Sequence, residues 1–157
     1  MDTREDILAR IFQILTDLAA TIRLNDATTV PTVARNRGLM QQDVRPVFIL
    51  LDGDERTRLD GDRRGRVRMS PSLVTMNPQV FVVMKSRLPQ NENLGQEMNE
   101  LRLQMIHALV TDETLIGLLS ANGDMNYLGN ETDLKSGSNL EGQMRLDFAM
   151  TYVLDPY

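Results

Sequence analysis

QMRLDFAMTYVL, residues 143–154, alternates strictly between apolar side chains and a second, more polar set. One side of this stretch would carry Met144, Leu146, Phe148, Met150, Tyr152 and Leu154. The other side would carry Arg145, Asp147, Ala149, Thr151 and Val153. A period of two residues is typical of a β-strand with one face in the core. The pattern therefore predicts a long strand that needs another layer of structure against its apolar face.

Two helical patterns can supply that layer. Apolar residues recur at helical spacing from about residue 4 to residue 23, and Thr3 with Asp6 resembles a capping box at the start. A second helix is predicted from a cap at Asn93 to about Val110. Asp112 then caps a shorter helical piece. The helices would pack on one face of the sheet.

Four more segments have strand character or connect strands. They are a short strand at 32–36 after Pro31, an apolar strand at 44–51, a strand at 72–85 with a bulge at Pro78, and a strand at 124–129 that leads into a polar connection at 130–142. The order α-β-β-β-α-(α)-β-β predicts one α+β domain over residues 1–157, with a mostly antiparallel sheet of about five strands and two main helices on one face.

Composition narrows the class of protein. The chain has 157 residues, 41% of them hydrophobic and 25% charged, which is typical of one globular domain. It contains no cysteine, and its N-terminus lacks the cationic start and apolar stretch of a secretion signal. From these two features we expect a cytoplasmic history. No run of 18 apolar residues is present, so we expect no membrane-spanning helix and no membrane partner. Ten methionines suggest adaptable, assembly-forming surfaces.

The charges are unevenly distributed. Residues 52–68 hold five acids and six arginines, net +1, whereas residues 112–157 hold eight acids against Lys135 and Arg145, net −6. Residues 52–67, which we call the charged segment, would form a long hairpin that protrudes between strands two and three and meets a neighbouring subunit. Its predicted interface residues are Asp52, Asp54, Glu55, Arg56, Arg58, Asp60, Asp62, Arg63, Arg64, Arg66 and Arg68.

The spacing of the acidic residues in this segment does not match a metal site. An EF-hand loop needs oxygen ligands at its first, third and fifth positions, glycine at the sixth and glutamate at the twelfth. Counting from Asp52 places Arg56 fifth, Thr57 sixth and Arg63 twelfth. We therefore predict no metal site here.

Catalytic signatures are also missing from the sequence. His107 is the single histidine and lies on the polar flank of the second helix, where no general acid or base partner is evident. The ten glycines form neither GxGxxG nor GxxxxGK[ST]. We expect a protein that is not an enzyme and binds no cofactor; the enzyme alternative is a metal-dependent phosphoesterase that uses the Asp-rich loop.

Several segments resemble the tail-terminator or tail-completion proteins of tailed bacteriophages. The most specific are RNRG at 35–38, RPVFILLDGDE at 45–55 and EGQMRLDFAMTYVLDP at 141–156. The similarity extends over nearly the whole chain, from ILARIFQIL in the first helix onward. These segments are structural patterns and contain no catalytic motif.

The resemblance implies a ring, typically a hexamer, that ends tail-tube polymerisation. One face of the ring would meet the tail-tube protein and the other a head-side connector or stopper protein, with genomic DNA passing through a central channel. The protein would assemble in the bacterial cytoplasm and become part of the virion. Asp124, Glu131, Asp133 and Glu141 would line the channel as an acidic surface that DNA does not adhere to. The alternative in the same class is another neck component, a head-completion, stopper or adaptor ring.

Overall fold

The computed structural model describes residues 2–22, 30–57, 72–85, 94–119, 124–135 and 141–154. Their helices are α1 (Thr3–Thr21), α2 (Leu94–Val110) and α3 (Glu113–Leu118). Their strands are β1 (Thr32–Arg35), β2 (Val47–Leu51), β3 (Glu55–Thr57), β4 (Ser72–Met76), β5 (Gln79–Lys85), β6 (Met125–Lys135) and β7 (Glu141–Leu154). The prediction of an α+β protein is confirmed.

Strand β7 lies at the centre of the sheet. Along one edge, its residues 141–147 pair with β5 and its residues 150–154 pair with β4. Along the other edge it pairs with β6. Beyond β5 lie β2 and then β1, and beyond β4 lies β3. Since β1 runs parallel to β2 while the other pairs are antiparallel, the sheet is mixed.

The predicted count of five strands is wrong, because the predicted strand at 72–85 is divided into β4 and β5 and because β3 lies within the predicted hairpin at 52–67. The sheet has seven strands in the part of the chain that the structure describes. Gly53 adopts a left-handed backbone conformation between β2 and β3, which interrupts the extended chain. Pro78 has no N–H to donate and lies between β4 and β5. After these interruptions β3 pairs with β4, and β5 pairs with β2 and β7.

The helices cover one face of this sheet. On β7 the side chains of Met144, Leu146, Phe148, Met150 and Tyr152 are buried, as the alternation predicts. They belong to one apolar cluster with residues of all three helices and of β2, β4 and β5. Within the ranges that the structure describes, no helix has both the length and the hydropathy to cross a membrane.

The helix starts differ in one place from the prediction. The N-cap of α1 is Asp2, whose carboxylate accepts a hydrogen bond from the backbone N–H of Arg4 at 3.0 Å, so the predicted Thr3 cap is wrong by one residue. Asp112 caps α3 as predicted and accepts from the N–H of Leu115 at 2.8 Å. The predicted cap Asn93 lies outside the described residues. Asp112 also accepts two hydrogen bonds from Arg10, which joins α3 to α1.

Strand β6 is longer than its sequence predicts. The predicted strand at 124–129 continues to Lys135, so the first six residues of the predicted polar connection are strand instead. Residues 130–133 of this extension are exposed, and β6 pairs with β7 along a single edge. A strand that faces solvent on both sides has no apolar alternation, which explains why the sequence did not predict this extension of β6.

Gly53 is needed where β2 leaves the sheet. Its φ is +70°, and a Cβ at this position would overlap the backbone carbonyl of Asn77. Asn77 also donates its backbone N–H to the carbonyl of Asp54 at 2.8 Å, which holds the two chain interruptions together. Gly53 therefore permits the close approach of two backbones.

We expect Gly53→Ala to lower the free energy of unfolding by about 3 kcal/mol or more, because strain at φ and backbone overlap act together. Urea unfolding followed by circular dichroism measures this. Gly95→Ala in α2, where a Cβ meets open space, is the matched control and should change stability by about 1 kcal/mol at most. Equal effects of the two substitutions would contradict the prediction.

Candidate functional site at the base of the charged segment

Arg35 joins two carboxylates where β1 and β2 end. The parallel register places Arg35 opposite Leu50, so its guanidinium reaches Asp52 just past the end of β2. It donates from Nε to Oδ1 of Asp52 at 2.8 Å and from one terminal nitrogen to Oδ2 at 2.9 Å. It also donates two hydrogen bonds to Glu5 on α1, at 2.7 and 2.9 Å. We call Glu5, Arg35 and Asp52 the Arg35 cluster.

A second set of contacts holds Glu55 at the start of β3. The hydroxyl of Tyr152 on β7 donates to Glu55 at 2.6 Å. The Nε atom of Arg4 lies 3.3 Å from the other carboxylate oxygen of Glu55. Arg4 also donates to the backbone carbonyl of Gly53 at 3.0 Å. The first turn of α1 and strand β7 therefore both contact residues 53–55.

These contacts shift the protonation equilibria of their members. Hydrogen bonds from Arg35 are the main reason that the pKa of Asp52 and the pKa of Glu5 are lowered, and the same bonds raise the pKa of Arg35. Burial, and then the hydrogen bond to Glu55, raises the pKa of Tyr152. At neutral pH the cluster is thus a set of fixed charges rather than a proton donor or acceptor.

The arrangement favours structural support over ligand binding. Both oxygens of Asp52 already accept from a guanidinium, and those of Glu55 face Arg4 and Tyr152. A cation would have to displace these donors. Within the described ranges, no three acidic or histidine side chains are close enough together to hold a metal ion.

The predicted charged hairpin is not matched by the structure in its first part. Asp52 is partly buried in the Arg35 cluster, and residues 55–57 form β3, which pairs with β4. Two other predicted interface residues, Asp54 and Arg56, are exposed. The rest lie outside the described residues: Arg58, Asp60, Asp62, Arg63, Arg64, Arg66 and Arg68.

The four predicted acidic-surface residues fall into two groups. Asp124, Glu131 and Asp133 are exposed on or beside the edge strand β6. Glu131 lies 3.5 Å from Arg145 on β7 but remains mostly in solvent. Glu141 is different, since it is partly buried and lies 3.5 Å from Arg45. The structure thus brings Glu131 and Asp133 together on the second half of β6, whereas Asp124 lies just before its first residue.

The helix-free face of the sheet carries an apolar groove of about 580 Å³. Ile49 and Leu51 of β2 and Phe81 of β5 line it from the sheet, and the chain after β1 forms its wall, including Leu39. Ala34, Val47 and Val83 pack beside these residues in a second, smaller apolar cluster. We call this feature the sheet groove.

An ion pair between half-buried Arg37 and buried Asp43 fixes the wall of the sheet groove. Arg37 donates to both oxygens of Asp43, at 2.8 and 2.9 Å, and Asp43 also accepts from the N–H of Met40 at 2.8 Å. Only 4% of the Asp43 side chain is exposed. The guanidinium of Arg37 and the N–H of Met40 lower the pKa of Asp43 to about 2. Asn36, with φ of 52°, turns the chain into this wall and accepts from the N–H of Asp52 at 3.1 Å.

Sequence reasoning did not find the Arg35 cluster or the sheet groove. In the sequence, Arg35 and Arg37 stand out only as part of RNRG, and Arg4 and Tyr152 only as residues of a predicted helix and a predicted strand. Their partners are 17 or more residues away, apart from the local pair Arg37 and Asp43. A usable signal was the arginine that ends one strand and the aspartate that ends the next, which become neighbours if the strands are parallel.

Comparisons with known proteins give little further information. No protein-family model and no curated protein matches the chain. A solved structure without a descriptive name aligns over 96% of this chain and 98% of its own, at 15% identity and a TM-score of 0.46. A likeness at that level carries no conclusion about function.

Acid should selectively remove the contribution of Asp43. A carboxylate whose pKa is lower in the folded state stabilises the fold above its unfolded pKa, near 3.8, and this stabilisation is lost as pH falls toward 2. We expect Asp43→Asn to destabilise the protein at pH 7 and the difference from wild type to shrink between pH 4 and pH 2.5. Urea unfolding at each pH measures it.

Asp133→Asn, on the exposed part of β6, is the control for that measurement. Its difference from wild type should be small at every pH. A difference between Asp43→Asn and wild type that is constant with pH would contradict the role given to the ion pair.

Proposed function

We propose that this chain is a virion structural protein that forms a hexameric ring at the head-proximal end of a phage tail. The ring ends polymerisation of the tail tube, joins the tail to the head-side connector or stopper, and leaves a channel for DNA. The resemblance of RNRG, RPVFILLDGDE and EGQMRLDFAMTYVLDP to tail terminators supports this proposal.

The observation that carries the proposal is that the described surface has two unlike sites suited to protein contact. One is the sheet groove on the helix-free face. The other is the edge of β6, whose second side pairs with no described strand. A free edge strand presents unpaired N–H and C=O groups to any neighbour. Two different contact sites on one subunit are what a heterologous interface needs in order to close a ring.

The mechanism under this proposal is geometric. One face of the ring matches the last ring of the tail tube, and the opposite face does not accept another. Shape and charge complementarity then decide which protein binds each face. The Arg35 cluster serves this mechanism by fixing the start of the charged segment to α1 and the sheet, so that the segment leaves the subunit at a defined place.

Removing this protein from a phage that encodes it should yield tails of uncontrolled, excess length, because nothing stops the tube from growing. Electron microscopy of lysates measures tail length directly, and supplying the wild-type chain from a plasmid is the control. Tails of normal length that fail to join heads would instead favour the alternative, a stopper or head-completion ring. Normal, infectious particles would exclude both functions.

The acidic residues of β6 give a second test of the proposal. If they line the DNA channel, the combined change Asp124→Asn, Glu131→Gln and Asp133→Asn should slow DNA ejection, because repulsion of the phosphates is lost. Glu141 is left unchanged since Arg45 already neutralises it. Potassium release or dye-based ejection assays measure the rate.

The matched control neutralises Glu97, Glu100 and Glu113 on the helices, which should leave ejection unchanged. An ejection rate that is the same for both triple variants and wild type would remove the acidic channel from the proposal. It would leave the ring itself intact.

A further inference from the structure

The sheet groove is already formed in the single subunit. Its floor consists of residues in regular strands β2 and β5, and its wall is held by the buried pair of Arg37 and Asp43. The wall residue Leu39 is 37% exposed, and its neighbour Met40 is also exposed. Because the groove is already formed, a partner can bind there without the loss of entropy that ordering the groove would require.

The opposite edge of the same sheet presents an apolar projection. Leu128 is the extra residue of a β-bulge between Tyr127 and Gly129 on β6. It is 59% exposed, more than any other large hydrophobic residue of the described chain. Gly129 has a φ of +131°, a backbone conformation that a side chain would strain, so the bulge has a specific sequence requirement.

The two features cannot meet within one subunit. Across the sheet the strands run in the order β1, β2, β5, β7 and β6. The sheet groove belongs to β2, β5 and the chain after β1, and Leu128 belongs to β6 at the other end of that order. A contact between them must join two copies, and it leaves one copy with a free bulge and the other copy with a free groove. Such a contact repeats from copy to copy and can close a ring.

Charge on the two surfaces is complementary. Residues 124–135 carry three acids and one lysine, and Glu131 and Asp133 follow Leu128 along β6 by about 10 and 16 Å at strand spacing. Arg56 lies on the helix-free face, since it pairs with Thr75, beyond the Leu51 end of the groove. It is exposed and forms no ion pair with another described residue.

We propose that the sheet groove of one copy binds the Leu128 bulge of a second copy, with Arg56 facing the carboxylates of that copy's β6. The inference rests on the proposed ring and specifies its subunit interface. It makes the interface heterologous, apolar at its centre and charged at its rim. It assigns Glu131 and Asp133 to this interface, so that Asp124 is the exposed acid beside β6 that remains for the channel surface.

Two single substitutions test the interface from its two sides. Leu128→Asp places a charge on the bulge, and Leu39→Asp places one in the groove wall. Each should weaken self-association at least about tenfold, because a carboxylate would be buried in an apolar contact without a partner. Leu103→Asp on α2, where Leu103 is 58% exposed, is the matched control and should assemble as wild type does.

Association is measured by sedimentation velocity and size-exclusion light scattering, for the full chain alone and with tail tubes. Circular dichroism and urea unfolding establish that all three variants are folded. Raising salt from 0.1 M should weaken wild-type association moderately, since rim charges are screened over about 10 Å at that concentration.

Mixing the two defective variants gives the sharpest result. Leu39→Asp keeps an intact bulge and Leu128→Asp keeps an intact groove, so an equimolar mixture should form 1:1 dimers that cannot extend into rings. If Leu128→Asp alone assembles normally, the groove does not take this bulge and the interface is overturned. If the mixture forms no dimer, the pairing of groove with bulge is also overturned.

The outcomes separate this inference from the proposed function. Wild-type rings that both variants leave intact overturn the interface and keep the ring. Wild-type chains that remain monomeric at every concentration, alone and on tail tubes, overturn the ring and the interface together.

Discussion

Burial of one face of β7 is the interaction on which the rest of the structure depends. Met144, Leu146, Phe148, Met150 and Tyr152 are each at most 1% exposed. Burying such side chains stabilises a fold by about 1.5–3 kcal/mol each, so this strip is a large part of the driving force for folding. The helices α1 and α2 supply matching apolar stripes, and β7 contacts both of them.

The length of β7 explains the division of its partners. It has 14 residues, whereas β4 and β5 have 5 and 7 and lie one after the other along the same edge. Because the chain is interrupted at Asn77 and Pro78, β4 and β5 pair one after the other with the same edge of β7. The interruption at Gly53 likewise lets β2 pair with β5 and β3 pair with β4. Because the described helices lie on one face, the opposite face keeps the sheet groove.

Local patterns predicted the parts of the fold that depend on local periodicity. The alternation at 143–154 and the helical spacing of Leu94, Met98, Leu101, Met105 and Leu109 were each visible within a few turns or pleats, and all five of these helix residues are buried. The α+β class followed from them. The strand count did not, because the three residues of β3 are all exposed and show no apolar alternation, and because Pro78 divides one predicted strand into β4 and β5.

The candidate site was harder to predict for the same reason. Asp52 and Glu55 read as solvated charges of a loop, yet Arg35 and Arg4 reach them from other elements. The sequence indicates that Asp52 and Glu55 belong to an unusual segment, but it does not predict their partners. These partners depend on the parallel register of β1 and β2 and on the position of α1. The extension of β6 was missed because an exposed edge strand needs no apolar alternation.

The pairing of β3 with β4 brings together the two ends of the residues that connect these strands. Thr57 and Val74 are partners in the sheet, so residues 58–71 begin and end on adjacent, fixed strands. Doubling the length of such an insertion costs only about 0.6 kcal/mol in chain entropy. A change in the length of this connection therefore alters the free energy of folding little, so the described sheet and helices tolerate it without rearrangement.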